Sequence, residues 1–143
     1  MMLEKRKKHA ISKILSANDT GDTGAHQAGI LVPKNREILG FFPPLDNSEK
    51  NPRYHLPFYD DSDTKWEFAF IYYNNRFFGG TRNEFRLTRM TPFIRMNNLQ
   101  QGDELIFESD GDGKRYIRYR RIRTGMGTDG VLRLGSQWKV IEI

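Results

Sequence analysis

The sequence contains one strictly alternating polar stretch, Thr81-Arg82-Asn83-Glu84-Phe85-Arg86-Leu87-Thr88-Arg89. Alternate residues of a β-strand share a face, so this pattern predicts a strand over 81–89. Phe85 and Leu87 supply the side that faces a core. Arg82, Glu84 and Arg86 supply the opposite side, where donor, acceptor and donor follow one another at intervals of about 6.5–7 Å.

Such a face suits the edges of neighbouring G·C base pairs. In the major groove guanine offers acceptors that arginine bonds bidentately, and cytosine offers an amino donor that glutamate accepts. A carboxylate near DNA phosphates is unfavourable unless it meets such a donor, so the position of Glu84 between two arginines favours base reading. The alternative is a solvent-exposed edge strand whose charges only pair with one another.

Length and composition indicate one folded domain over residues 1–143. A chain of 143 residues can bury one core, and its 13% aromatic content argues against disorder. The net charge of +5 favours an anionic partner, with nucleic acid as the first candidate. Because the chain has no cysteine, a disulfide framework and a thiolate metal site are both excluded.

The remainder of the chain predicts a β-rich fold. A basic start at 5–8 is followed by no continuous apolar segment, so we expect no signal peptide, no membrane span and a cytoplasmic location. Residues 17–29 predict a long loop because they are polar and glycine-rich. About seven short strands and two or three short helices indicate an all-β or α+β barrel-like fold. The predicted strands include 9–16, 29–32, 54–59, 65–73, 81–89, 104–108, 114–123, 131–134 and 137–143, and the predicted helices include 34–41 and 91–98. The strand at 54–59 is expected near a sheet edge because it contains Pro57.

Two blocks together carry a family resemblance. The first runs from Lys13-Ile14-Leu15-Ser16-Ala17-Asn18-Asp19-Thr20-Gly21 through Gly29 to Val32-Pro33, and the second from Ile71-Tyr72-Tyr73-Asn74-Asn75-Arg76 to Arg89. Over roughly residues 9 to 90 the chain resembles the N-terminal effector and DNA-binding domain of EcoRII-type restriction endonucleases. Matches of this length are far more specific than a short motif.

The resemblance implies a DNA-binding pseudobarrel, similar to plant B3 domains, that grips double-stranded DNA with two arms from the major-groove side. In the relatives the domain binds CCWGG and accompanies a separate nuclease domain, which here would follow Ile143 in a bacterial, monomeric protein. The implied base-recognition residues are Lys13, His26, Arg76, Arg82, Glu84 and Arg86. The implied supporting or phosphate-contacting residues are Asn18, Thr20, Gln27, Asn83 and Arg89.

This chain departs from the family pattern at three positions. Gly80 and Phe85 stand where relatives carry lysines, and Leu31 stands where relatives carry a tyrosine. Gly80 and Phe85 flank the residues of the alternating stretch that are predicted to read bases. The exact target sequence is therefore the least determined part of the prediction.

Other readings of the polar residues remain open. His26 lies near Asp19 and Asp22, but a lone histidine without ligand spacing does not predict a metal site, and we expect no cofactor and no catalytic residue. Asp112-Gly113-Lys114 imitates half of a nuclease centre, with Glu108 as a nearby carboxylate, yet Asp110 to Gly113 has the composition of a hairpin turn. The basic stretch 114–123 is either a phosphate-contacting or a solvated strand face. A stand-alone DNA- or RNA-binding regulator and a compact metal-dependent nuclease are the alternative functions.

Overall fold

The structure is a computed structural model that describes residues 9–21, 29–122 and 137–141. Within these residues eight strands form one sheet, and the helices are short. The strands are β1 (His9–Ile14), β2 (Ile30–Val32), β3 (Arg53–Tyr59), β4 (Lys65–Tyr73), β5 (Glu84–Thr88), β6 (Glu104–Ser109), β7 (Arg115–Arg120) and β8 (Trp138–Val140). The α-helices are α1 (Ala17–Thr20), α2 (Arg36–Leu39) and α3 (Thr91–Met96), and a 3₁₀ turn covers Asn75–Phe78.

The sheet curls until its two ends meet. Its strand order is β2-β5-β4-β3-β7-β6-β1-β8, so β2 and β8 are the ends. The indole Nε1 of Trp138 in β8 donates to the carbonyl oxygen of Leu31 in β2 at 3.0 Å. The sheet is therefore an open barrel whose seam is joined by a side chain, which confirms the predicted pseudobarrel.

The inside of the barrel is filled largely by aromatic rings. Phe58, Phe68 and Phe107 are fully buried, and Phe42 stacks on Phe70 with ring centroids 4.4 Å apart. Burying one phenylalanine side chain contributes roughly 1.5–3 kcal/mol. Phe68 and Phe70 of β4 thus contribute to the core, while Glu84 and Arg86 of β5 lie on the opposite face of the hairpin.

The predictions for residues 17–20 and for the position of strand β3 were wrong. Residues 17–20 form a helix rather than a loop, because Ser16 and Asp19 make a capping box and Gly21 closes the turn with a φ of 86°. Strand β3 also lies inside the sheet order and not at an edge. Pro57 is tolerated there because β3 pairs with β7 only at Tyr59 and Tyr116.

None of the described helices has the length and the apolar character needed to cross a membrane.

Candidate nucleic-acid interface

The hairpin of β4 and β5 presents the polar row that the sequence predicted. Glu84 lies opposite Tyr73 and Arg86 lies opposite Ile71, whereas Leu87 faces the core opposite Phe70. Strand β5 begins at Glu84, so the predicted start at Thr81 was wrong. The chain before Glu84 is held by other contacts, because Arg82 bonds the 3₁₀ turn instead of a neighbouring strand.

Glu84 accepts hydrogen bonds from the two arginines that lie two residues before it and two residues after it. Its Oε2 accepts from Nη2 of Arg82 at 2.6 Å and from Nε of Arg86 at 2.8 Å. Burial alone would raise the pKa of Glu84, but the hydrogen bonds and charges of Arg82 and Arg86 lower the pKa below its ordinary value. Glu84 is thus an ionised acceptor whose direction is fixed by two neighbouring donors.

These ion pairs are partly exposed, with side-chain accessibilities of 39% for Arg82, 30% for Glu84 and 18% for Arg86. Exposed pairs of this kind contribute about 0–1 kcal/mol each to folding. Their main effect is therefore to hold three charged side chains in one geometry, which reduces the entropy that a binding partner must overcome.

Arg82 is fixed from both its backbone and its side chain. Its guanidinium carbon lies 4.0 Å from the ring centre of Tyr73, and its amide donates to Oδ1 of Asn75 at 2.6 Å. This arrangement depends on a glycine at position 80, because a Cβ at Gly80 would come within 2.7 Å of the Asn75 side chain. A lysine at position 80 would displace the amide that holds Arg82.

Arg86 joins the polar row to the start of β2. Its Nη1 donates to the carbonyl oxygen of Gly29 at 2.9 Å. Gly29 has a φ of 94°, and a Cβ at this position would come within 2.7 Å of the Leu87 carbonyl oxygen. The guanidinium has more N–H donors than its bonds to Gly29 and Glu84 use. Arg86 is therefore oriented but retains donor capacity for a ligand.

Lys13 is buried, with 7% of its side chain accessible. Its ammonium lies 3.1 Å from Oδ2 of Asp19 and donates to the carbonyl oxygen of Ile14 at 2.9 Å and to Gln137 at 3.5 Å. Asp19 Oδ2 also accepts from the Ser16 amide. Lys13 thus anchors helix α1 to the end of β1.

One cavity brings residues of both sequence blocks together. It has a volume of about 260 Å³ and lies at the barrel seam, bordered by Lys13, Asn18 and Asp19 from the first block and by Leu31 and Arg86 across the seam. The two blocks are therefore adjacent in space although 67 residues lie between Asn18 and Arg86. This contact between the blocks could not be read from either block alone.

The remaining predicted contact residues occupy different settings. Asn18 and Thr20 lie in α1, where the Thr20 hydroxyl donates to the Ala17 carbonyl oxygen. Asn83 accepts from the Tyr72 hydroxyl at 2.6 Å. Arg76 is exposed on the 3₁₀ turn, and Arg89 is exposed after β5 with a φ of 67°.

His26 and Gln27 lie outside the described residues, as do Arg123 and the predicted strand at 131–134. Their predicted roles stay predictions.

Phe85 and Leu31, two positions at which the chain departs from the family pattern, both lie next to the polar row. Phe85 faces the interior and stacks on Tyr72, with ring centroids 4.1 Å apart. Leu31, which is half exposed, pairs directly with Arg86 across the sheet. Phe85 therefore packs as part of the core, while Leu31 lies beside the polar row.

The basic stretch of β7 is engaged in contacts within the protein. Arg118 bonds Glu108 at 2.6 Å, and Arg120 bonds Glu104 at 2.7 Å. Arg121 donates to the carbonyl oxygens of Asn97 and Asn98 at the end of α3. Burial lowers the pKa of Arg115, which is half buried beside Phe41. The arginines of this stretch thus bond within the protein, and a contact of the stretch with phosphate stays a prediction.

The turn at Asp110 to Gly113 is the predicted hairpin connection between β6 and β7. Oδ1 of Asp110 accepts from the amides of Asp112 at 2.8 Å and Lys114 at 3.0 Å. The Lys114 ammonium lies 4.4 Å from the centre of the Tyr59 ring. Within residues 9–21, 29–122 and 137–141 no group of three or more His, Cys, Asp or Glu side chains is arranged to hold a metal ion.

Sequence reasoning missed two residues that position the row and one that holds the turn beside it. Tyr73 supports the Arg82 guanidinium, and Asn75 holds the Arg82 amide. Asn74 is fully buried, where it accepts from the Asn51 amide at 2.7 Å and donates to the Glu49 carbonyl oxygen at 2.8 Å. Asn74 and Asn75 belong to the second sequence block, and nothing local in the sequence indicates which groups their side chains bond.

Comparison with known proteins gives consistent matches. The family described as "Restriction endonuclease EcoRII, N-terminal" matches residues 5–103. The type II restriction enzyme EcoRII of Escherichia coli is 45% identical over 82 residues, which are 54% of this chain and 20% of the enzyme. Auxin response factor 15 of Oryza sativa subsp. japonica is 33% identical over 81% of this chain and 15% of that protein. Auxin response factor 3 of Arabidopsis thaliana is 32% identical over 84% of this chain and 18% of that protein.

Proposed function

Since the chain belongs to the family of the N-terminal domain of the restriction endonuclease EcoRII, we propose that it binds double-stranded DNA sequence-specifically. The observation that carries the proposal is the row of Arg82, Glu84 and Arg86, whose side chains are already oriented by one another. Donor, acceptor and donor in one row match guanine, cytosine and guanine edges in the major groove. The row reads bases and belongs to one of the two arms. Arg76 belongs to the same arm.

The second arm is proposed to begin at α1 and to include His26. Lys13 supports this arm by fixing α1 through Asp19, because its ammonium is engaged within the protein. This role replaces the base contact that the resemblance implies for Lys13. Asn18, Thr20, Gln27, Asn83 and Arg89 are proposed as supporting or phosphate contacts, which fix the register of a protein on DNA without reading sequence.

The proposal also covers the domain context, the oligomeric state, the location and the target of the protein. The chain spans about a fifth or less of the length of the relatives described above. We take residues 1–143 as one DNA-binding domain without catalytic residues, acting as a monomer in the bacterial cytoplasm on a CCWGG-like target, with a nuclease domain elsewhere in the protein.

The proposal is tested by fluorescence anisotropy with the purified chain and labelled duplexes at one fixed salt concentration. The duplexes contain CCWGG or a variant with one base pair replaced. We expect each replaced C·G pair to weaken binding by about 1–3 kcal/mol. Equal affinity for all duplexes would exclude sequence-specific recognition.

The substitution Glu84→Gln is expected to change base preference more than affinity. A glutamine keeps the shape of the side chain but pairs best with adenine, whereas a glutamate accepts from cytosine. The variant should therefore lose part of its preference for C·G at one position and tolerate A·T there. The measurement is the same set of duplexes.

Glu108→Gln is the matched control, because Glu108 is also paired with an arginine at 2.6 Å but lies on β6. An identical change of base preference in both variants would contradict base reading by Glu84.

A further inference from the structure

Two neighbouring phenylalanines are exposed on the same arm as Arg82, Glu84 and Arg86, which we call the reading row. Phe77 is 64% exposed and Phe78 is 45% exposed, and both lie in the 3₁₀ turn Asn75–Phe78 between β4 and β5. A single exposed apolar residue is ordinary, but adjacent large apolar residues at the tip of a hairpin mark an interaction surface. We call Arg76, Phe77 and Phe78 the hairpin tip.

The hairpin tip is held in place by hydrogen bonds on both sides. The Phe77 amide donates to the Asn74 carbonyl oxygen at 3.0 Å, and the Gly80 amide donates to the Asn75 carbonyl oxygen at 2.7 Å. Asn74 is itself fully buried. The phenylalanines are therefore displayed by an ordered turn, so that little backbone ordering is required when they bind a partner.

The hairpin tip is directly joined to the reading row. The Arg76 amide donates to the Arg82 carbonyl oxygen at 2.9 Å, and Asn75 accepts from the Arg82 amide. Arg76 beside the phenylalanines is exposed, and residues 74–83 contain no acidic residue, so the surroundings of the phenylalanines favour an anionic partner. Both features favour DNA over a second apolar protein surface.

We propose that Phe77 and Phe78 contact the same DNA duplex as Arg82, Glu84 and Arg86, packing against deoxyribose and thymine methyl groups beside the base pairs that the row reads. This inference rests on the proposed function. Apolar side chains bind the thymine methyl group in the major groove, and such contacts release no counterions. The hairpin tip therefore adds affinity that salt does not weaken.

The test compares Phe77→Ala, Phe78→Ala and Arg76→Ala in anisotropy titrations at several salt concentrations. Each phenylalanine variant is expected to bind the duplex roughly tenfold more weakly at every salt concentration, since each loses partial burial of a large apolar side chain. Its salt slope should equal that of the wild type. Arg76→Ala removes an exposed charge from the same turn and is expected instead to flatten the slope by about one.

Two controls accompany the titrations. Met96→Ala removes an apolar side chain that is 73% exposed on α3, and it should leave DNA affinity unchanged. Duplexes with deoxyuridine in place of flanking thymines lack the methyl groups. This replacement should lower the DNA affinity of the wild type more than it lowers the DNA affinity of Phe77→Ala. Thermal unfolding of the phenylalanine variants should match the wild type, because the replaced side chains are exposed.

Unchanged affinity in both phenylalanine variants would overturn the inference, as would a loss of affinity that comes with a flatter salt slope. Unchanged affinity combined with reduced self-association in sedimentation would assign the surface to a second copy of the chain and also overturn it. The proposed function would survive each result if the wild type still discriminates among duplexes. Its own failure would appear as wild-type binding without sequence preference.

Discussion

Replacing Arg86 with alanine is expected to abolish most of the discrimination between CCWGG and its single-base variants. Arg86 orients Glu84 through Nε, bonds the Gly29 carbonyl oxygen through Nη1, and keeps further donors for a base. Its loss therefore removes one side chain that contacts a base and also removes a hydrogen bond that orients Glu84. We expect binding of the CCWGG duplex to weaken by about 1–3 kcal/mol, while the variant duplexes weaken less. Anisotropy titrations with the full set of duplexes measure both effects.

Arg118→Ala is the matched control for Arg86→Ala. It removes the same charge from an arginine that is also paired with a glutamate, but it does so on β7. Discrimination among duplexes should be unchanged in this variant, whatever its effect on overall affinity. If Arg86→Ala weakened all duplexes alike and lowered the salt slope by about one, Arg86 would be a phosphate contact and the reading row would be wrong.

Replacing Lys13 with methionine is expected to destabilise the fold by about 3–5 kcal/mol, because it breaks a buried ion pair by removing one partner. Asp19 and Lys13 are both 7% accessible, so solvent cannot replace the lost interaction. The free energy of unfolding is measured by urea denaturation. This change is large relative to the total stability of a small domain.

A double-mutant cycle separates the two possible roles of Lys13. Asp19→Asn combined with Lys13→Met removes both charges, and we expect the double variant to be more stable than Lys13→Met alone. DNA binding by the folded fraction should keep the wild-type salt slope. Unchanged stability together with a flatter salt slope would show that Lys13 contacts a phosphate and does not position α1.

The sequence predicted the reading face because the alternation of side chains in a strand is a local property. Glu84 and its two arginines lie on one side and Leu87 on the other, as the pattern indicated. The resemblance then identified the family and the pseudobarrel. A capping-box signal was also present in Ser16 and Asp19, with Gly21 after it, and it would have predicted helix α1.

Other features depend on contacts between distant residues. Lys13 is polar and lies in an alternating strand, yet it is buried because β1 ends against β8 and α1 supplies Asp19. The support of Arg82 by Tyr73 depends on the register of β4 and β5 and on the turn between them. Neither register nor burial of a charged side chain is encoded in a short pattern, so these positioning residues required the structure.

The central claim is that Arg82 and Arg86 bond guanine in the major groove. It is tested most directly with CCWGG duplexes in which single guanines are replaced by 7-deazaguanine, which lacks the N7 acceptor but still pairs with cytosine. We predict that the wild type binds at least one such duplex about 1–3 kcal/mol more weakly. The same replacement should have little effect on Arg86→Ala or on Arg82→Ala, according to which arginine reads that base. Undiminished wild-type affinity for every substituted duplex would contradict the account.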